Sequence, residues 1–469
     1  MKKSFTMKPK LLLPLLACFG FINANATIIP VPGTFQQIQS AIDAAYDGDT
    51  VVVAPGTYFE NINFRGKKIM VTSLYYLAED TAYITGTIIN GSMPAHPDTG
   101  SCVIFSSGED STSILQGFKI TGGTGTKWTD IHGAGVYREG GGILIELSSP
   151  VVRHNYITGN SATNVAGVIS AGGGGIRVGD GNPSIVHNLI TYNESRYGAG
   201  IVLNYTGAVI RNNIIAINSG GQDYYGGSGI WILGNLASTP KIIENNTIVN
   251  NQSVLANGTG GILVWQAADV TALNNIIYGN TPTLQIRTIS AAPQVSFSNV
   301  QGGFSGTGNI DADPLFLPYS YQLQSSSPCI DAGDSDPMYA DLEDLFNPGN
   351  ALYPSLGQLR NDMGAFGGQH ADIQVSPYAN PVGIEEPNND HPIQIFPNPF
   401  IHTSMLLFDH ELRNASVVLY DVRGREVQQY TGISGKFATI RREGITSGLY
   451  MIVVMENNRV LVRERMVIR

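Results

Sequence analysis

VRHNYITGN (152–160), IVHNLITYN (185–193), IRNNIIAIN (210–218), IENNTIVNN (243–251) and ALNNIIYGN (272–280) are five versions of one frame. Their alignment places Asn155, Asn188, Asn213, Asn246 and Asn275 in one register and Asn160, Asn193, Asn218, Asn251 and Asn280 in a second. The first set recurs after 33, 25, 33 and 29 residues. That is a solenoid period with tolerated insertions. Each repeat is one coil of a stack, unable to bury its apolar face except against its neighbours.

A second ladder precedes the first: Gly142-Ile143, Gly175-Ile176, Gly200-Ile201, Gly229-Ile230 and Gly261-Ile262. The glycines permit a backbone bend that side chains would obstruct. Ile143 and Ile145, Ile176 and Val178, Ile201 and Leu203, Ile230 and Ile232, and Ile262 and Val264 then alternate inward, which is strand periodicity. A Pro or Gly turn, a second short strand, the Asn corner and a third short strand follow. Three strands per coil result. Asparagine suits a corner because stacked amides donate and accept along the axis, whereas stacked aspartates would repel. A buried amide without partners costs about 1–3 kcal/mol, so Asn213→Leu in mid-stack is expected to destabilise more than Asn280→Leu near the end.

At 469 residues the length alone suggests about three ordinary domains. The 55 glycines, 42% apolar and 14% charged residues fit a long repetitive all-β body instead. Residues 1–26 read as a signal peptide: Lys2, Lys3, Lys8 and Lys10, then LLLPLLACFGF, then Ala24-Asn25-Ala26. LLAC at 15–18 superficially matches a lipoprotein box, but the apolar run continues past Cys18. No other apolar run reaches the ~18 residues of a membrane span. Of the remaining cysteines, Cys102 and Cys329 are separated by at least six coils at ~4.8 Å each. They are too far apart for a disulfide.

TFQQIQSAIDAAYDGDTVVVAPGTYFENINFRGKKIMV at 34–71 resembles the opening of the right-handed parallel β-helix, or pectin-lyase-like, superfamily, with Ile38, Ala41, Ile42 and Ala45 on one helical face to cap the stack. SILQGFKITGG (113–123) is similar to an early coil with Phe118 at the Asn corner. DADPLFLP (311–318), YQLQSSSPCIDAGD (321–334) and RNDMGAFGG (360–368) resemble the closing coils of surface β-helices of the choice-of-anchor Q type. The resemblance implies an all-β solenoid over 27–370. It is weak for function.

Residues 371–390 read as a linker. Beyond them, alternating apolar segments with turns at Arg423-Gly424 and Ser447-Gly448 indicate a small antiparallel β-sandwich of about seven strands over 391–469. FPNPF (396–400), LYDVRGREV (419–427), GLYMIVV (448–454) and the terminal VIR (467–469) resemble the type A sorting domain of the type IX secretion system. That resemblance implies the secretion machinery as a partner and the outside of a Bacteroidota-type cell as the destination, by release or attachment at the outer surface.

The net charge is −10. Without the four signal lysines and the sorting region, whose ten basic residues exceed its seven acidic ones, residues 27–390 carry −17. Nucleic acid is excluded as a partner, because it requires clustered Lys and Arg. The first reading is a secreted or surface-displayed protein that binds extracellular polysaccharide or another surface through its lateral sheet. Catalysis has thin support: no Gly-His-Gly segment and no carboxylate pair on adjacent coils is visible, and the nearest catalytic candidates are Arg177 and Asp180 in GGGGIRVGDGNP. They would make the chain a polysaccharide lyase or glycoside hydrolase. Their bland reading is a solvated strand arginine and a turn aspartate. A purely structural or adhesive element is the third reading. His154 and His187 precede corner asparagines and should stack; Asn212, Asn245 and Asn274 continue that column. Trp231, Trp265, Tyr205, Tyr224 and Tyr225 are the glycan-binding candidates, as outward rings able to stack on sugars. No cofactor is implied except calcium, for which Asp331, Asp334 and Asp336, followed by Asp341, Glu343 and Asp344, offer hard oxygen ligands.

Overall fold

The computed structural model describes residues 26–234, 239–372 and 393–468, apart from 268, 291, 318–319, 346, 397–399, 401–402, 422–424, 443, 447 and 457–458. The signal segment through Asn25, the linker beyond Asp372, the centre of FPNPF, Arg423-Gly424 and Arg469 lie outside the described residues.

Three parallel sheets run along the stack. One has ten strands from Ile28–Val31 to Gln294–Ser296, the second nine from Gly56–Tyr58 to Asn299–Val300, and the third eight from Ile62–Asn63 to Ile286–Ile289. In the third, Ile143 pairs with Ile176, which pairs with Ile201, then Ile230, Ile262 and Ile286. These isoleucines and their alternating partners are buried in one continuous core. A short fourth ladder, Ser161–Ala162, Glu194–Ser195, Ser219–Gly220 and Gln252–Ser253, adds to the three expected strands. Two-residue strands leave no periodicity to read.

The glycines divide two tasks that the sequence merges into one bend. Gly140, Gly173, Gly198 and Gly227 take positive φ of 55 to 66° and make the turn. Gly142, Gly175, Gly200 and Gly229 do not; a Cβ on any of them would meet the next coil's glycine carbonyl at 2.5–2.8 Å. Close stacking of backbone on backbone therefore requires the second set.

Each corner asparagine is satisfied on both sides. Asn213 Nδ2 donates to the Ile185 carbonyl at 2.8 Å, its own coil's Arg211 carbonyl at 3.0 Å and Asn246 Oδ1 at 3.1 Å. Its Oδ1 accepts from Asn188 N at 2.9 Å and Asn188 Nδ2 at 3.1 Å. The ends are closed too: Asn155 Oδ1 accepts from the Phe118 amide, Ser298 Oγ accepts from the Asn275 amide, and Gln285 Oε1 accepts from Asn280 N and Nδ2. Phe118 occupies the corner of the preceding coil and is fully buried. Helix Ile38–Ala44 closes the N-terminal end, with Ile38, Ala41 and Ile42 buried.

His154 and His187 stack at 4.8 Å between ring centroids and 4° between planes. The column they begin also seats a strap made by residues 361–372. His187 Nε2 contacts the His370 carbonyl at 2.5 Å, Asn212 Nδ2 donates to Ala365 and Gly367 carbonyls, and Asn245 Nδ2 donates to Asp362 and Gly364 carbonyls. His154, His187, Asn212, Asn245 and Asn274 all sit at φ 51 to 57°, a left-handed conformation that Asn and His tolerate better than most residues.

The C-terminal unit is an antiparallel sheet of five described strands, Ile393–Phe396, Thr403–Asp421, Glu426–Arg441, Gly448–Glu456 and Arg459–Ile468. The expected seven become five because the 19- and 16-residue strands continue through register shifts between Leu407 and Val417 instead of breaking. Asn414, Gly432 and Gly435 supply the positive φ of those bulges. Cys102 and Cys329 are both free and buried.

Candidate aromatic cleft on the glycine-ladder sheet

The outward side chains of the third sheet fall into two rows. Leu144, Arg177, Val202, Trp231, Leu263 and Arg287 are paired coil to coil in one; Glu146, Gly179, Asn204, Leu233, Trp265 and Ile289 in the other. Over them lies an antiparallel hairpin, Gly125–Thr129 with Val136–Glu139, whose second strand pairs with Ala171–Gly172. The loop GGQDYYGG (220–227) approaches from a later coil, with Tyr224 and Tyr225 at φ 48 and 64°. Between hairpin, loop and sheet opens a cleft of about 240 Å³ lined chiefly by Asp130, Tyr137, Glu139, Tyr197, Asn204, Tyr205, Tyr224, Trp231 and Trp265.

Trp231 and Trp265 do not form a coplanar rail. Trp265 stands in the neighbouring row beside Leu233, and the two indoles meet edge to face at 6.3 Å and 75°. Trp231 is only 4% exposed, packed with Tyr197, Val202 and Leu263, and its Nε1 donates to the Tyr224 carbonyl at 3.2 Å. The sequence predicts an exposed ring there because alternation turns it away from the coil; the loop then covers it. Trp265, Tyr205, Tyr224 and Tyr225 remain half-buried, with Trp265 against Tyr224 at 6.0 Å and Tyr225 at 5.8 Å.

Arg177 points away from the coil as expected but is buried, not solvated. Its Nε lies 2.9 Å from Glu139 Oε2, and its Nη1 pairs with Glu146. The guanidinium is thus held between two buried carboxyl groups. Gly179 leaves the space the Arg177–Glu146 pair occupies. Asp180 is not part of this group: it sits 2.8 Å from His132 Nε2, and the His132 ring stacks on Tyr205 at 4.0 Å. Arg177 and Asp180 therefore belong to two different sets of contacts, one beneath the cleft and one at its rim.

Tyr197 donates to Glu139 Oε1 at 2.5 Å. Burial, with the Glu139 charge beside it, raises its phenol well above the ordinary value. It is held as a donor and is unsuited to act as a base.

Glu139, Tyr197, Tyr137, Asp130 and Asn204 were not among the candidates read from the sequence. Two of them carried a signal. Glu139, Gly172, Tyr197 and Gly226 all stand three residues before the ladder glycines, and a Cβ on Gly172 would enter the Tyr197 ring. Equivalent positions two coils apart, with glycine between, bring the carboxylate to the phenol.

In the acidic loop, Asp331 accepts from the Gln358 amide, Asp334 from the Asp336 amide and Asp336 from the Met338 amide. Among the described residues no three His, Cys, Asp or Glu side chains converge as a metal site.

The chain matches the right-handed beta helix region model over residues 51–282 and the secretion system C-terminal sorting domain model over 394–469. No curated protein sequence matches it. Among solved structures it is similar to a pectin methylesterase mutant in complex with a hexasaccharide, at 10% identity and a TM-score of 0.31, covering 65% of this chain and 98% of that one. It is also similar to PL6 family alginate lyase AlyGC, at 13% identity and a TM-score of 0.21, covering 61% of this chain and 54% of that one. No residue or activity is carried over from either. The sorting tail marks a secreted or cell-surface protein of a Bacteroidota-type bacterium, handled by the type IX machinery. Residues 51–282 are thus a right-handed beta helix region, and residues 394–469 a secretion system C-terminal sorting domain.

Proposed function

We propose that the exported β-helix binds extracellular polysaccharide, and that the aromatic cleft over the glycine-ladder sheet is where it holds a sugar unit. The observation that carries this reading is the concave grouping of Tyr205, Tyr224, Trp231 and Trp265 beside the polar groups of Asp130, Glu139 and Asn204. Aromatic walls with a few placed polar atoms are what a sugar ring requires. At about 240 Å³ the cleft lies below the usual ~300–1,000 Å³ of ligand pockets, which suits one ring of a chain whose remainder lies along the surface.

Lyase or hydrolase chemistry is less well supported. Arg177 is committed to two carboxylates, Asp180 to His132, and Tyr197 is a poor base.

The test is binding of the full chain to neutral and uronic polysaccharides, with and without calcium, while new reducing ends and unsaturated products are followed. Trp265→Ala is the informative variant, because Trp231→Ala removes a buried ring and is expected to cost about 3–5 kcal/mol of stability. Binding that Trp265→Ala weakens, without turnover, supports the proposal. Turnover lost in Arg177→Ala would make the protein an enzyme, and no binding to any polysaccharide would leave a structural element.

A further inference from the structure

We propose that the unit this cleft selects is a hexosamine with a free, protonated amino group. The inference rests on the glycan-binding reading above and names its substrate class. Two of the cleft's donors are engaged within the protein, Trp231 Nε1 with the Tyr224 carbonyl and the Tyr197 hydroxyl with Glu139. Two of its acceptors are less committed. Asn204, 8% exposed, has its Oδ1 buried without a hydrogen-bond partner among the described residues. Asp130 holds its turn through Oδ1 alone, accepting from the amides of His132 at 2.8 Å and Ala134 at 3.3 Å.

Asn204 Oδ1 is enclosed by the protein, so the acceptor the cleft presents to a ligand is the Asp130 carboxylate.

Charge narrows the donor further. No lysine or arginine lines the cleft. Asp130 sets a carboxylate at the wall, and beneath the floor Glu139 and Glu146 place two carboxyl groups against the single guanidinium of Arg177. Aromatic faces around a negatively charged recess are the environment that attracts an ammonium group. The same ring cluster already accepts a cation at its edge, where the Arg287 guanidinium lies 4.6 Å from the Tyr225 centroid. An ammonium group brings three donors and one positive charge; a hydroxyl brings one donor and none. A uronate would set its carboxylate against Asp130 and Glu139. The −17 carried by residues 27–390 favours a polycationic chain over a polyanionic one at longer range as well.

The experiment is titration of the full chain at pH 6 with a fully deacetylated β-1,4-glucosamine hexamer, its fully N-acetylated counterpart and a neutral β-1,4-glucose hexamer. Indole fluorescence and calorimetry follow binding. The free-amine hexamer is expected to bind about tenfold or more tighter than either of the others. Asp130→Asn keeps the turn-holding oxygen and is expected to lower that affinity several-fold while leaving the thermal melt in place. Equal binding of all three hexamers, within about twofold, overturns the cation inference but leaves the glycan-binding reading standing. Failure of every hexamer and every polysaccharide to bind overturns both. Undiminished binding in Asp130→Asn, with selectivity for the amine retained, moves the site away from this cleft.

Discussion

Replacing Asn213 by leucine keeps the volume of the corner side chain and removes its hydrogen-bonding capacity. Five bonds are lost, three donated by Nδ2 and two accepted by Oδ1. The groups left behind are unequal. Asn188 Nδ2 keeps its bonds to the Val152 and Val186 carbonyls, and Asn246 Oδ1 keeps the Asn213 amide. The Asn188 amide loses its Asn213 acceptor in a fully buried corner. One orphaned buried donor at about 1–3 kcal/mol, together with the two bonds to the Ile185 and Arg211 carbonyls at about 1 kcal/mol each net, gives an expected loss of roughly 3–5 kcal/mol. Asn213→Asp is expected to be worse above pH 5, because a carboxylate would face three acceptors and donate to none. The structure also revises the contrast drawn from the sequence. Asn280 accepts from Asn251 N and Nδ2 and donates to the Ile248 carbonyl and Gln285 Oε1. Asn280→Leu should therefore fall within about 1 kcal/mol of Asn213→Leu. The assay is urea unfolding followed by far-ultraviolet circular dichroism, with exposed Gln294→Ala as the reference. If Asn213→Leu shifts the transition no more than Gln294→Ala does, the ladder does not hold the coils and the reasoning fails.

Arg177→Met leaves Glu139 and Glu146 buried without their shared cation and is expected to cost about 3–5 kcal/mol; a thermal melt within 1 kcal/mol of the parent would show the trio to be energetically idle. Burial, first of all, lowers the imidazole of His154 to about 3 and that of His187 to about 4. The folded pKa lies below the unfolded value of about 6.5, so the unfolded chain binds protons first. The stability these groups contribute is complete above about pH 6.5 and lost as pH falls towards 4 and then 3. Asp341 and Asp362 have the opposite sign: burial raises both, so their contribution is lost as pH rises above the ordinary carboxylate range. His187→Asn, which matches the Asn212 position of the same column, is expected to flatten the acid limb between pH 6.5 and 4.5 and leave the limb above pH 7 in place. An unchanged acid limb in denaturant titrations would refute the assignment.

The coil stack was legible because it is written in repeated residues. Asn at one corner, Asn at the next and glycine before each inward isoleucine fix the register without any knowledge of neighbours, and the paired isoleucines of the third sheet confirm that register. The cleft was legible only in its parts. Strand alternation says that Trp231 and Arg177 leave the core; it cannot say that a hairpin from residues 125–139 and a loop from 220–227 close over them. Insertions carry no period, so their landing place depends on shape and charge. The strap was hidden for a related reason: Asn212, Asn245 and Asn274 look like more ladder, whereas their partners lie as much as 155 residues away.

That the two described cysteines of an exported chain are not cross-linked follows from the same construction. Cys102 is fully buried, donates to the Thr121 carbonyl at 3.2 Å, and burial pushes its thiol up to about 12. Cys329 is buried beside Asn299 Nδ2 at 3.1 Å, and burial raises it to about 11. Oxidation proceeds through the exposed thiolate, and neither cysteine supplies one. Cross-links stabilise small exported domains that lack sufficient core, but here the coils share a continuous apolar column, and those between 155 and 280 are also tied by two corner amides. Coils held so firmly are a rigid ruler on which insertions of any length can be hung. The cleft exploits that rigidity. Its floor of Arg177, Val202, Trp231 and Leu263 is spaced by strand stacking alone, and only its walls, from the hairpin and the 220–227 loop, need change for the ligand to change.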